Sequence, residues 1–178
     1  MKKLLSIFLP VVILATMLSI GNIGASAADA NAIMAEINSA YAALRASHGS
    51  YNGWCGQFVH DQLNYYGICN NKSGNGNQWY GVFSDGEITT GGYQAHKFAG
   101  ANCLNDIVST CGSEVYNVVV SFPVQYGSSY SSANPGAGHV VFIRAIINGN
   151  VYFCESYASG GYAEGQAQCR SISAFISS

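Results

Sequence analysis

The run Gly138-His139-Val140-Val141-Phe142-Ile143-Arg144-Ala145-Ile146-Ile147-Asn148-Gly149-Asn150-Val151-Tyr152-Phe153-Cys154-Glu155-Ser156 reads as two strands around a tight turn. Apolar, β-branched and aromatic residues lie on both sides of Asn148-Gly149-Asn150, and Asn-Gly between such runs is the strongest short-range hairpin signal. The length of the turn decides which face Glu155 takes. In a two-residue turn at Asn148-Gly149, the numbers of facing residues sum to 297, and His139 shares its face with even-numbered residues. Glu155 then points away, because a shift of one residue exchanges the two faces of a strand. In a three-residue turn the sum is 298 and Glu155 lies on the face of His139. Flat pairing still sets Glu155 opposite Ile143, so strand twist or a bulge must close the remaining gap, with Ser156 or a backbone carbonyl as substitutes.

Outward from this hairpin, Tyr116-Asn117-Val118-Val119-Val120-Ser121-Phe122 is a strand stopped by Pro123. A further strand is expected near Ala167 to Ile172, after the glycine-rich Ser159-Gly160-Gly161. The earlier half has the helical period instead. Ile33, Met34, Ile37, Tyr41 and Leu44 mark a helix from about Ala30 to Ala46, capped by Asp29. Phe58, Val59, Leu63 and Tyr66 mark a second, from Cys55 to Tyr66, with Gly67 as its stop. Cys103, Leu104, Ile107, Val108 and Cys111 mark a third, from Asn102 to Cys111. Residues 70 to 80 read as loop, and Asp85-Gly86 as the tip of a short hairpin. Helices first and an antiparallel sheet afterwards make an α+β domain. There is no internal repeat.

Composition narrows the class. The chain has 178 residues, enough for one domain with a real core; 49% are hydrophobic and only 9% charged, which is not a disordered profile. Met1-Lys2-Lys3, the apolar run Leu4 to Ile20 and the small residues Ala25-Ser26-Ala27 read as a secretory leader over residues 1–27. A retained membrane anchor is the alternative. Residues 28–50 then form a helix and linker, and 51–178 the main domain. The whole chain has 7 Lys+Arg against 9 Asp+Glu. Lys2 and Lys3 leave with the leader and no acid does, so the balance moves from −2 to −4. That gives no electrostatic footprint for nucleic acid or an anionic membrane. An exported monomer is expected, free of the membrane once the leader is gone.

Six cysteines in an exported chain read first as a disulfide framework. Cys154 and Cys169, on neighbouring strands, are one candidate pair, and Cys69 with Cys103 or Cys111 another. Cys103 cannot bridge Cys111 if both lie on one helix, since eight residues span about 12 Å and a bridge allows roughly 7 Å between Cα atoms. Zinc is disfavoured: no Cys-x-x-Cys occurs and the four histidines are scattered. Cys55 also admits a different reading. It opens a helix, where unpaired amides stabilise a thiolate. A histidine would complete a nucleophile–base pair. His60 is turned about 140° away along the helix. His48 and His96 read as surface loop residues, and His139 at the head of a strand is best placed. The Cys55 amide is one oxyanion candidate, with Asn52 and Tyr51 as second donors. Trp54, Trp79 and Tyr80 are candidate walls of a substrate groove, with core packing as the alternative.

Gly53-Trp54-Cys55, Gly74-Asn75-Gly76-Asn77-Gln78-Trp79, Gly138-His139-Val140-Val141, Asn148-Gly149-Asn150-Val151 leading to Glu155-Ser156, and Gly160-Gly161 occur in the order found in the CHAP family. These are cysteine, histidine-dependent amidohydrolases/peptidases, and the chain resembles the staphylococcal secretory-antigen type over about residues 51–173. The resemblance implies a papain-like, NlpC/P60-like fold with N-terminal helices packed on an antiparallel sheet. It implies cleavage of amide bonds in bacterial peptidoglycan, as an N-acetylmuramoyl-L-alanine amidase or a peptide endopeptidase, without a cofactor. Cys55 would be the nucleophile, His139 the base and Glu155 its orienter. The chain departs from the family at Tyr157, where an asparagine is frequent, and at Ala46-Ser47-His48-Gly49, which lacks the acids that bind calcium in some relatives, so no metal is expected. A secreted cysteine protease or toxin-like hydrolase, and a disulfide-stapled protein without catalysis, are the alternative readings.

Overall fold

A computed structural model of the chain describes residues 6–8, 14–19, 30–122, 137–157 and 161–177. Asp29, Pro123 with the residues that follow it to 136, and Ser159 and Gly160 lie outside the described residues. The helical half begins with α1 (Ala30–His48) and α2 (Cys55–Tyr65), both where the apolar period sets them. A 3-10 turn at Gly76–Gln78 runs into a short α3 (Trp79–Val82), in a region whose glycines and asparagines read as plain loop. Asn75 and Gln78 cap that turn reciprocally, each side chain accepting from the other's backbone N–H. Next come β3 (Gln94–Ala99), α4 (Cys103–Cys111), β4 (Glu114–Phe122), β5 (His139–Ile147), β6 (Asn150–Phe153), β7 (Gln168–Ser171) and α5 (Ile172–Ser177).

Strands β4, β5, β6 and β7 pair in sequence order, all antiparallel. Two backbone segments of the stretch read as leader, β1 (Ser6–Phe8) and β2 (Leu14–Ser19), join the same sheet in the order β1-β3-β2-β4-β5-β6-β7. Here β2 lies between β3 and β4, and neither β1 nor β2 pairs with β5 or β6. No helix among the described residues is long and apolar enough to cross a membrane.

Helices cover both faces of the antiparallel strands, and strand alternation decides which residue meets which helix. Val118, Val120, Phe122, Val141, Ile143 and Phe153 pack with Leu104 and Ile107 of α4 and Phe175 of α5. On the opposite face, Val119, Val140 and Phe142 meet Val59 and Leu63 of α2, and Ala145, Ile147 and Tyr152 meet Ile33 and Ile37 of α1. Even-numbered residues of β5 therefore face α2 near its start, whereas odd-numbered ones face α1 near its end. The exchange occurs at Arg144. On the neighbouring strand its facing residue is Asn117, which takes the left-handed conformation (φ 61°) that asparagine tolerates better than most residues. Both strands slip by one residue at this point, so their mutual register is unbroken. Against β6 the register jumps, from Ala145↔Tyr152 to Ile143↔Phe153.

Candidate active site

The turn at Asn148-Gly149 has two residues: Ile147 faces Asn150 and Ile146 faces Val151. By itself that would turn Glu155 away from His139. The bulge at Arg144 restores the shared face, and His139 Nε2 lies 3.1 Å from Glu155 Oε2. Both side chains are buried, at 2% and 3% exposure. The second oxygen of Glu155 accepts from Gln168 Nε2 at 3.4 Å, and Gln168 in turn accepts from Arg170. Gln168 belongs to no motif. Its only signal in the sequence is a polar side chain on a strand that pairs directly with β6.

Cys55 opens α2, and its thiol is hydrogen-bonded to the His139 side chain. Glu155 holds Nε2, so the nitrogen that meets the thiol is Nδ1. Burial of Cys55 pushes its pKa up, but the His139 hydrogen bond and charge, with the backbone N–H groups of Val140 and Gly56, outweigh it and hold the thiol below its ordinary value. For His139, burial disfavours the charged ring. Its hydrogen bonds to Cys55 and Glu155, and their charges, prevail and carry its pKa up to about 9. Both shifts favour a thiolate–imidazolium pair. Cys103 and Cys154 differ: burial pushes Cys103 up to about 12 and Cys154 higher still.

Three glycines let these elements approach. A Cβ on Gly56 would fall 1.9 Å from the Gly74 carbonyl oxygen, and one on Gly76 would fall 2.6 Å from the Gly138 carbonyl carbon and the His139 amide nitrogen. Gly138 has φ +65°, and a Cβ there would meet the Phe122 carbonyl oxygen at 2.5 Å. The Gly74–Trp79 block is thus a wedge between the start of α2 and the start of β5. Trp79 Nε1 donates to the Gly74 carbonyl at 2.9 Å, Asn77 N–H donates to the Ala137 carbonyl at 2.6 Å, and Ser121 Oγ donates to the Gly76 carbonyl.

The remaining predicted positions divide. Trp54 is 73% exposed beside the nucleophile, whereas Trp79 is 0% exposed and belongs to the core. Tyr80 is half-buried, with the Lys97 ammonium 5.0 Å from its ring centre. Tyr51 is buried, and its hydroxyl donates to Asp61 at 2.8 Å. The Cys55 N–H donates to the Gly53 carbonyl at 2.8 Å. Asn52 is exposed: its backbone N–H is held by Glu164 and its Oδ1 accepts from Ser50, so its side-chain NH2 is the donor that remains on this turn. His48 is exposed and stacks on Tyr51, at the surface as expected but as the last residue of α1 rather than in a loop. His96 departs from that assignment: it is buried on β3, where burial lowers its pKa against the opposing pull of Asp85.

All six cysteines are free thiols, so the candidate bridges Cys154–Cys169 and Cys69 to Cys103 or Cys111 are not formed. The register explains the first. Cys169 faces Tyr152 rather than Cys154, and is exposed. Cys154 is buried beneath α1 and α2, with its thiol 3.5 Å from Gln62 Oε1. Cys69 is buried against α2, and its thiol donates to Asn71 Oδ1 at 3.1 Å, while Cys103 is packed beneath α4 on the other face.

No protein-family model, no curated protein and no solved structure matches the chain.

Proposed function

We propose that this protein is an exported cysteine hydrolase of the CHAP kind, with a papain-like arrangement, that cleaves amide bonds of bacterial peptidoglycan. The observation that carries the reading is the buried chain of contacts from Cys55 through His139 to Glu155. In the proposed reaction the Cys55 thiolate attacks the carbonyl carbon of the scissile amide. His139, as the imidazolium, gives its proton to the departing amine as the C–N bond breaks, which leaves an acyl-thioenzyme. Neutral His139 then takes a proton from water, whose oxygen attacks the thioester; the C–S bond breaks, the carboxylic acid is released and Cys55 leaves as the thiolate beside the imidazolium. Glu155 fixes the ring orientation and stabilises its charged form through Nε2, as the third member of such triads does. The side-chain NH2 of Asn52, three residues before the nucleophile, is the candidate donor for the tetrahedral oxyanion, and exposed Trp54 offers an aromatic face to the substrate.

The substrate assignment rests on the ordered blocks that resemble the family, and it is tested separately from the chemistry. Purified peptidoglycan and casein are each incubated with the protein and the products analysed by mass spectrometry. Soluble muropeptides with a newly freed amino group are expected. Cleavage of casein with no wall fragments released would move the protein to the secreted-protease reading while leaving the triad in place.

A further inference from the structure

Glu164 lies outside the triad, in the turn that returns from β6 to β7, yet its carboxylate binds the loop that carries the nucleophile. One oxygen accepts from the Tyr51 N–H at 2.9 Å and the Tyr41 hydroxyl at 3.0 Å; the other accepts from the Asn52 N–H at 3.0 Å. Ser50 Oγ lies 3.2 and 3.1 Å from the two oxygens. Successive backbone N–H groups aimed at one anion form a nest, a fixed positive concavity that a carboxylate fills well. The nest belongs to an unusual turn. Asn52 and Gly53 are both left-handed, with φ 48° and 83°, and Cys55 follows two residues later. L-residues enter that region rarely, so a non-glycine residue there needs outside support.

The same turn is tied to the orienter. Gly53 N–H donates to the Ser156 carbonyl at 2.9 Å, and Gly165 N–H donates to the Glu155 carbonyl at 2.7 Å. Gly165 is itself left-handed, and a Cβ there would fall 2.1 Å from the Tyr41 ring, so the Glu164 turn is pressed directly onto α1. Among these ties Glu164 supplies the charged side chain, and it is the one that a substitution removes without altering the backbone.

We infer that Glu164 is a positioning residue: its carboxylate holds the Tyr51–Gly53 turn in the shape that sets the Cys55 thiol against His139. The effect on turnover rests on the hydrolase reading above; the effect on the thiol does not. Displacement of a reacting group by about 1 Å costs on the order of 100-fold in rate.

The test compares the wild type with Glu164→Ala and Glu164→Gln. Iodoacetamide modification of Cys55 is followed by peptide mass spectrometry across pH, alongside thermal melting and peptidoglycan hydrolysis. The pH midpoint of Cys55 modification is expected to rise toward that of an ordinary thiol in Glu164→Ala, with kcat falling about 10- to 100-fold and KM little changed. Glu164→Gln should fall between, since its amide oxygen can serve one N–H but not both. A folded Glu164→Ala with the wild-type midpoint overturns the inference, and so does a lowered melting temperature with an unmoved midpoint, which assigns Glu164 to stability alone. Should Glu164→Ala fail to fold, Glu164→Gln decides: a raised midpoint supports the inference and a wild-type midpoint overturns it. If the wild type releases no wall fragments, the substrate assignment fails, and the modification profile still decides the role of Glu164.

Discussion

His139 Nε2 lies 3.1 Å from Glu155 Oε2 because β5 and β4 each slip by one residue between the hairpin turn and the site. Arg144 and Asn117 make the slip. Arg144 donates to Asn117 Oδ1 and to Glu36 of α1, both at 2.9 Å, and its guanidinium lies over the rings of Tyr66 and Tyr116. Replacing Asn117 with Ala puts an ordinary side chain into a left-handed backbone, at a cost of roughly 1–2 kcal/mol. The lost Arg144 contact adds to that. Asn117→Gly keeps the backbone and loses only the contact. A melting curve with Asn117→Ala clearly below Asn117→Gly is the expected result; the reverse order would show that the bulge does not depend on a left-handed residue here.

The Glu155 carboxylate is the acceptor for Nε2 of a buried ring, so its removal takes that acceptor from His139. Breaking a buried charged pair from one side costs about 3–5 kcal/mol where nothing replaces it. Glu155→Ala should therefore lose both stability and activity. Glu155→Gln keeps the shape, and the amide oxygen can still accept from Nε2, so its melting temperature should fall less. Its kcat should still drop, by roughly 100-fold or more, because the imidazolium loses its counter-charge. Steady-state kinetics on a folded Glu155→Gln that match the wild type would exclude Glu155 as orienter.

The two shifted groups predict opposite pH dependences. His139 has its pKa raised, so its contribution to folding is full below its ordinary value of 6.5 and is lost as pH climbs through about 9. Cys55 has its pKa lowered, so its contribution is present above the ordinary value of 9.0 and is lost as pH falls through the lowered one. The ion pair occupies the window between. Iodoacetamide should therefore modify Cys55 rapidly at pH values where Cys103 and Cys154 are inert, and hydrolysis should decline on the alkaline side near pH 9. A Cys55 modification profile that coincides with that of a free thiol would contradict the pairing.

Gly56 and Gly76 have no space for a methyl group, and both face backbone that cannot swing aside. Gly76→Ala should push β5 away from the start of α2, with a loss of about 1–3 kcal/mol as for overpacking elsewhere. Its activity loss should exceed what the melting temperature explains, since His139 is the residue displaced. Gly81, with nothing within 4 Å, is the control: Gly81→Ala should leave both unchanged. Equal behaviour of the two variants would show that the wedge is not needed.

Much of this arrangement is legible in the sequence because the deciding features are local. Helical periodicity fixes α1, α2 and α4, and the hairpin dipeptide places β5 and β6. The parity of His139 and Glu155 is not legible, since it depends on one bulge made by Arg144 with an asparagine on the neighbouring strand. Sequence says only that a bulge or twist is required. β3 escapes sequence reading because Gln94-Ala95-His96-Lys97-Phe98-Ala99 carries no clean alternation, and α5 because six residues are too few to show a period. The disulfide expectation fails for a physical reason: export favours bridges on average, whereas packing separates these thiols. Glu164 carries no motif at all. Its role comes from a return loop that sequence leaves unplaced.

The proposed export carries a further expectation. Cleavage after Ala27 would remove β1 and β2, and β3 would lose the strand that lies between it and β4. The site-bearing elements α2, β5 and β6 keep their pairings. N-terminal sequencing of protein recovered from the medium should begin at Ala28, with hydrolysis intact. An exported protein that still begins at Met1 would contradict the leader.

The most direct measurement is release of soluble fragments from purified peptidoglycan by the wild type and by Cys55→Ala, with circular dichroism establishing that both are folded. Release by the wild type, and none above background by the variant, is the predicted result. Undiminished release by folded Cys55→Ala would contradict the assignment of Cys55 as nucleophile.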